Sequence, residues 1–358
     1  FNKSLAERND QNFTAKATYW KAESDYNLEN YHDALIGYKE FKGMTAAKNT
    51  PEMEDIDYNI AYTYFKQKDY ANAIKFFKAY TDTHQKPLTQ VNDAYLRLGD
   101  SYFVTSDYWS AMEAYNEAIG MKGIDSDYAY FQKAISYGFV DKNDRKIEDL
   151  EAFLNKYNKS IYRDDALYEL GNTYVAENNT QKGIQTYNRL LNEAPHSSFA
   201  SKTLLKQGLI YYNDDQSQEA LDKFKRVVKE YPGTEEANQA VKTARVIYVD
   251  LGRTDEYAAW VKTLDFVEVS DSDIDNATYE AAENQFIENN TEAAKKGFQK
   301  YLNEFSNGLH ALSAHFYLGQ LHYRDEEKNE ALPHYKYVVE QPRNEFTEQA
   351  LARLSQIY

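Results

Sequence analysis

This sequence predicts an all-α fold, an α-solenoid of about nine helix hairpins followed by a terminal helix. Three observations predict it. Small residues recur as anchors at 22, 61, 99, 134, 171, 208, 244, 282 and 319, with successive spacings of 35 to 39. Around each anchor, apolar residues stand at spacings that share one helix face, in two stripes separated by a polar turn. The 358-residue chain also has only 14 Gly and 6 Pro, too few for the frequent turns of an all-β protein.

The unit on Gly99 is the clearest. Tyr95, Leu98, Tyr102, Ala111, Tyr115 and Ala118 stand at −4, −1, +3, +12, +16 and +19. The same offsets describe Gly171 with Leu167, Tyr174, Gly183 and Tyr187, and Gly208 with Leu204, Tyr211, Ala220 and Phe224. They also describe Gly319 with Leu318, Ala331 and Tyr335, and Ala61 with Tyr64, Ala73 and Phe77. Ala22, Tyr26, Ala34, Tyr38 and Phe41 share their spacings with Ala282, Phe286, Ala294, Phe298 and Tyr301. Ala134 and Ala244 fit loosely, with Lys146 and Glu256 where +12 calls for a small residue, and Trp260 at +16 of the latter. Small residues at 0 and +12 let two helices approach, and rings at +3 and +16 fill the space beside them.

Residues 1–358 read as a single solenoid, with a soft seam at the acidic, aperiodic stretch 265–277 and a shorter loop at 121–127. Leu351, Leu354, Ser355 and Tyr358 fit the first helix of a tenth unit; Phe1 and Leu5 stand where a preceding second helix would end. Both ends, and the absence of an initial Met, suggest excision from a longer array, with a natural cap as the alternative.

These residues resemble the tetratricopeptide repeat, a helix hairpin of about 34 residues. The units at 166–198 and 203–237 are similar to repeats of bacterial envelope proteins, the outer-membrane assembly lipoproteins and the Tol-Pal coordinator. The resemblance implies a right-handed solenoid that binds protein or peptide, periplasmic or outer-membrane associated, with a cytoplasmic location left open. It implies further that the first helices line a concave face, through positions −3, +1 and +4. Those are Tyr58, Tyr62 and Phe65; Asp100 and Phe103; Phe131; Tyr168 and Asn172. They continue as Leu205 and Tyr212; Arg245 and Tyr248; Phe316, Gln320 and Tyr323. Repeats that clamp acidic C-terminal peptides need Lys at −3 and Asn at +1; here no unit has that Lys and only Asn172 supplies the Asn, so such peptides are not expected partners.

The net charge of −16 argues against nucleic acid and anionic membranes, which need clustered Lys and Arg. Solubility explains the charge; a basic partner is the alternative. There is no Cys, hence no disulfide, thiol chemistry or Cys-ligated zinc. No apolar run is long enough to span a bilayer. Phosphate-loop, dinucleotide, zinc-protease and nucleophile-elbow motifs are missing. His315 and His322 share a helix face, but His322 holds a +3 packing position, so no metal is expected; no cofactor is expected either. Paired carboxylates such as Asp164–Asp165 and Asp214–Asp215 fall at turns and helix starts, as caps do. The expectation is therefore a non-enzymatic interaction scaffold. An oligosaccharide-binding module is the alternative, weakened because Trp20, Trp109 and Trp260 fall on or near packing positions.

Overall fold

The computed structural model describes residues 10–84, 89–123, 125–268 and 270–358. Its helices form two compact units, Phe1–Pro195 and His196–Tyr358. Among the described residues the first unit holds five hairpins: α1 (Gln11–Asn27) with α2 (Tyr31–Gly43), α3 (Ile56–Lys66) with α4 (Tyr70–Thr83), α5 (Thr89–Val104) with α6 (Tyr108–Gly120), α7 (Ser126–Gly138) with α8 (Asn143–Lys156), and α9 (Arg163–Ala176) with α10 (Thr180–Glu193). The second holds four, then a single helix: α11 (Ala200–Asn213) with α12 (Ser217–Glu230), α13 (Glu235–Asp250) with α14 (Thr254–Val261), α15 (Asp271–Ile287) with α16 (Thr291–Glu304), α17 (Ala311–Arg324) with α18 (Lys328–Glu340), and α19 (Thr347–Ile357). No strand occurs among the described residues. The expected nine hairpins and terminal helix are all present; Phe1 and Leu5 lie outside the described residues.

The turn inside each hairpin is one device repeated. The first helix ends in a residue with left-handed backbone: Glu29, Lys68, Ser106, Asp141, Asn178, Asp215, Gly252, Asn289 and Glu326, with φ between 55 and 65°. The next amide reaches back to the last helical turn, as in Asp107 N to Tyr102 O (2.9 Å) and Asn179 N to Tyr174 O (2.8 Å). These bonds satisfy carbonyls that a helix end would otherwise orphan. The same residue then caps the second helix. The side chains of Asp69, Asp107 and Asn179 accept the amides of Asn72, Ser110 and Lys182. Left-handed backbone strains a residue with a Cβ by roughly 1–2 kcal/mol. Lys68→Gly and Glu326→Gly, both at exposed positions, are each expected to stabilise the protein by about 0.5–1 kcal/mol, the entropy of the unfolded glycine offsetting part of the gain. An unchanged or lower urea midpoint contradicts this account.

Within a hairpin the rings at +16 lie directly on the anchor. A Cβ built on Gly99, Gly171 or Gly208 stands 2.5, 2.4 or 2.4 Å from the ring of Tyr115, Tyr187 or Phe224. The small residue therefore does more than let backbones approach: it is the floor on which the ring lies. Where the anchor is Ala22 or Ala282, the glycine has crossed to the second helix. A Cβ on Gly37 or Gly297 would come 2.8 Å from Ala22 or Ala282 Cβ.

Two readings of the sequence are revised. Most of the 265–277 stretch is not a loop, because α15 starts at Asp271. Ser270 and Asp273 form a reciprocal capping box there, and Asp275 and Ala277 are buried. The α13–α14 hairpin also turns one residue late, at Gly252, eight residues past Ala244 rather than seven. That slip moves every position counted from Ala244. Tyr257 and Val261 are buried on α14, whereas Glu256 is exposed and pairs with Arg253.

Candidate functional site: the first-helix face

The first-helix faces of the N-terminal unit are joined by polar bonds from hairpin to hairpin. Asn59 on α3 donates to Tyr19 Oη (2.8 Å) and Glu23 (3.2 Å) on α1. Tyr58 on α3 donates to Asp93 on α5 (2.8 Å), and Tyr128 on α7 donates to Asp100 on α5 (2.7 Å). Arg97 sits between Asp93 (3.3 Å) and Asp100 (2.7 Å) on its own helix. Burial alone would lower the Arg97 pKa, but the two carboxylates outweigh it and hold the guanidinium charged.

Between α1 and α3 this face opens into a cavity of about 380 Å³, lined by Glu23, Tyr26, Tyr38, Tyr58, Asn59, Tyr62 and Lys66. Tyr58 and Tyr62 were expected at the site; Glu23 and Tyr26 are the +1 and +4 positions of the first unit, so the register locates them too. Burial raises the Tyr26, Tyr58 and Tyr62 pKa values, with Asp93 adding to the effect at the last two, so these phenols stay protonated donors at ordinary pH. The arrangement offers aromatic edges, hydroxyls, one carboxylate and one ammonium.

The other expected residues divide by position. Phe131, Leu205 and Phe316, all at −3, are 8%, 7% and 3% exposed and pack inside. Phe131 stacks on Tyr162 and Phe316 on Phe346 (centroids 5.8 and 4.3 Å), each at the start of the next first helix, which is why −3 closes over. Tyr248 is fully buried because the late turn puts it where other units place their +3 ring; Arg245 pairs with Glu280 at 2.9 Å. Gln320 and Tyr323 are engaged by the terminal helix, through Gln349 (3.3 Å) and Gln356 (2.9 Å). Phe65, Phe103, Tyr168 and Tyr212 are partly exposed.

Asp100 and Asn172 have a structural duty that the sequence reading missed. Each accepts the phenol at +16 of its own hairpin, from Tyr115 (2.9 Å) and Tyr187 (2.8 Å); Glu23 does the same for Tyr38 (2.7 Å). A buried hydroxyl needs an acceptor. The signal was partly present: in three of the four units whose +16 is Tyr, +1 is the acceptor Glu23, Asp100 or Asn172. In the fourth, Gln320 pairs with Gln349 and the buried Tyr335 hydroxyl has no partner among the described residues, and Glu283 stands at +1 where +16 is Phe298. Arg97, with acids at −4 and +3, was equally readable.

Two expectations about chemistry meet the geometry here. His315 and His334 share a 2.8 Å Nδ1–Nδ1 hydrogen bond, and burial depresses both to about 4, with neighbouring His charges adding to it at His334. No group of three or more metal-ligating side chains occurs among the described residues. Trp20 and Trp109 are 48% and 56% exposed, so they are not packing residues as expected. No helix among the described residues is long and apolar enough to cross a membrane.

Family models described as tetratricopeptide repeat match residues 165–197 and 202–234, and another of the same description matches 58–82. No curated protein matches the chain. Among solved structures, a MamA crystal structure is 20% identical over 48% of this chain and 94% of its own, with a TM-score of 0.42. A tetratricopeptide repeat protein from Parabacteroides merdae is 16% identical over 75% of this chain and 99% of its own (TM-score 0.41). The apo form of RapI is 11% identical over 82% and 74% (TM-score 0.49).

Proposed function

Because this chain carries tetratricopeptide repeats, we propose that it is a non-catalytic scaffold that holds a protein or peptide on its first-helix face. The observation that carries the reading is the cavity between α1 and α3, where Tyr26, Tyr58 and Tyr62 surround Glu23 and Lys66. Partly exposed aromatic side chains, with the Tyr58 hydroxyl fixed on Asp93, are what a peptide anchor needs. The likeness of its repeats to those of envelope assembly proteins supports a periplasmic or outer-membrane setting.

A photo-reactive amino acid at position 62 tests the face. Cross-links to a partner are expected from 62 and not from position 75, an exposed site on α4. The pair Tyr26→Ala and Tyr62→Ala is expected to weaken capture of that partner about tenfold, a loss of about 1.4 kcal/mol. Cross-linking from 75 alone, with capture unchanged in the double variant, overturns the assignment.

The exposure of Trp109, next in sequence to a Tyr108 ring stacked at 4.7 Å on the exposed Phe139, favours oligosaccharide binding as a second reading. Heat on mixing with a glycan that disappears in Trp109→Ala selects it.

A further inference from the structure

We propose that the C-terminal unit carries a separate site, on its second-helix side, for a small amphiphilic anion: an apolar body ending in a carboxylate. The site is a cavity of about 660 Å³ between α12 and the segment that follows α14. It owes its existence to a departure from the repeat. Helix α14 has 8 residues, where α12 and α16 have 14 each. It stops at Val261, and the chain turns instead, with Leu264 N bonded to Val261 O at 3.1 Å. The end of α12 therefore faces Trp260, Leu264 and Phe266 across open space rather than a packed helix.

The cavity is divided chemically. Val228 of α12 is buried, and together with Trp260, Leu264 and Phe266 it supplies an apolar wall. The indole packs at 6.3 Å on Tyr248 and 6.5 Å on Tyr257, which fixes its orientation. Lys225 and Lys229 supply cations from one face of α12, a turn apart. Asp265 is the single acid in the lining. Residues 223–229 read KFKRVVK, four cations without an acid, in a chain of net charge −16. Arg226 is held by Glu230 at 2.7 Å, and Lys225 lies over the Tyr248 ring at 5.5 Å, while Lys229 stands exposed.

The volume lies within the range of about 300–1,000 Å³ usual for small-molecule sites, which combine apolar walls with a few placed polar groups. Cations on one wall and rings on the other select a ligand whose charge and apolar body are likewise separated. A neutral alcohol brings no charge to match the Lys229 ammonium, and a cation is repelled by it and by Lys225. This site is independent of the first-helix groove, and either assignment survives failure of the other.

The test uses the full chain with Trp20→Phe and Trp109→Phe, so that Trp260 is the remaining indole of three. Decanoate is expected to shift Trp260 emission saturably below its micelle concentration. Decanol should bind about tenfold more weakly and decyltrimethylammonium should not bind, because the ion pair is what distinguishes them. Lys229→Glu, at an exposed position that leaves the fold intact, is expected to weaken decanoate about tenfold, and Lys229→Arg to retain it. Phe266→Ser weakens it through the apolar wall instead. Equal binding of all three head groups, or decanoate binding indifferent to Lys229→Glu, overturns the proposal. So does tighter binding of the peptide Asp-Phe-Asp, which assigns the cavity to a protein partner.

Discussion

Gly171→Ala is expected to destabilise the N-terminal unit by about 2 kcal/mol, although alanine is the better helix former by about 1 kcal/mol. The new Cβ would stand 2.4 and 2.6 Å from Cε1 and Cδ1 of Tyr187, whose ring is 1% exposed and whose hydroxyl is fixed on Asn172. Neither the ring nor the backbone has free space to move into, and overpacking of this kind costs roughly 1–3 kcal/mol. Gly319→Ala is the internal contrast. Its Cβ meets Tyr335 at 3.2 Å and His334 Cβ at 3.3 Å, a gap that small shifts relieve. There the helix-propensity gain and the packing strain nearly cancel, and the urea midpoint moves little. Tyr187→Leu in the Gly171→Ala background recreates the combination of Ala at the anchor and Leu at +16 that the fourth hairpin carries as Ala134 and Leu150, both buried. The double-mutant cycle is expected to show a favourable coupling of about 1 kcal/mol or more. Stabilisation by Gly171→Ala alone would falsify the idea that these rings lie on their anchors.

The largest pH effect is expected on the alkaline side. Burial, aided by Asp100 at Tyr115 and by Tyr168 and Glu169 at Tyr187, raises both phenol pKa values far above the ordinary 10.0. The sign follows from proton counting. Above pH 10 the unfolded chain releases phenol protons that the folded chain retains, so stability is full below about pH 10 and falls as pH rises beyond it. Each of these two buried phenols contributes a loss of about 1.4 kcal/mol per pH unit. Tyrosines nearer the water add less, because solvent screens them. Phenolate absorbance is therefore expected in two stages: a gradual rise from exposed tyrosines, then a cooperative jump that coincides with loss of helical circular dichroism. Tyr115→Phe with Tyr187→Phe should move the jump to higher pH, since fewer protons are then released on unfolding. A smooth titration of all 33 tyrosines near pH 10 with the helices intact contradicts the burial assignment.

The helices were legible because the repeat states them many times over. One period, read at nine anchors, places each stripe of apolar residues on the right helix. The turns were less legible. Of the nine left-handed turn positions, Glu29, Lys68, Ser106 and Glu326 carry residues with no special tolerance for that backbone, so packing of the two helices imposes it. The slip at Gly252 was hidden for the same reason: Ala244 satisfies the small-residue rule, and only the turn reveals that counting from it runs one residue off. On the candidate face, register alone offered Tyr58 and Tyr62, which both line the α1–α3 cavity, and equally Phe131, Leu205 and Phe316, which are buried. Whether a −3 residue is covered depends on what stands at the start of the next hairpin, as Tyr162 and Phe346 do, and one repeat read in isolation does not contain that fact.

The bonds that link first helices in the N-terminal unit also bear on its compliance. Asn59 to Glu23, Tyr58 to Asp93 and Tyr128 to Asp100 are each a fastening between two adjoining hairpins. Splaying the first helices apart strains these fastenings directly, while the apolar layers behind slide with little directional resistance. The unit is thus a spring whose stiffness is set joint by joint. Tyr58→Phe loosens the joint between the second and third hairpins and leaves the others as taut as before.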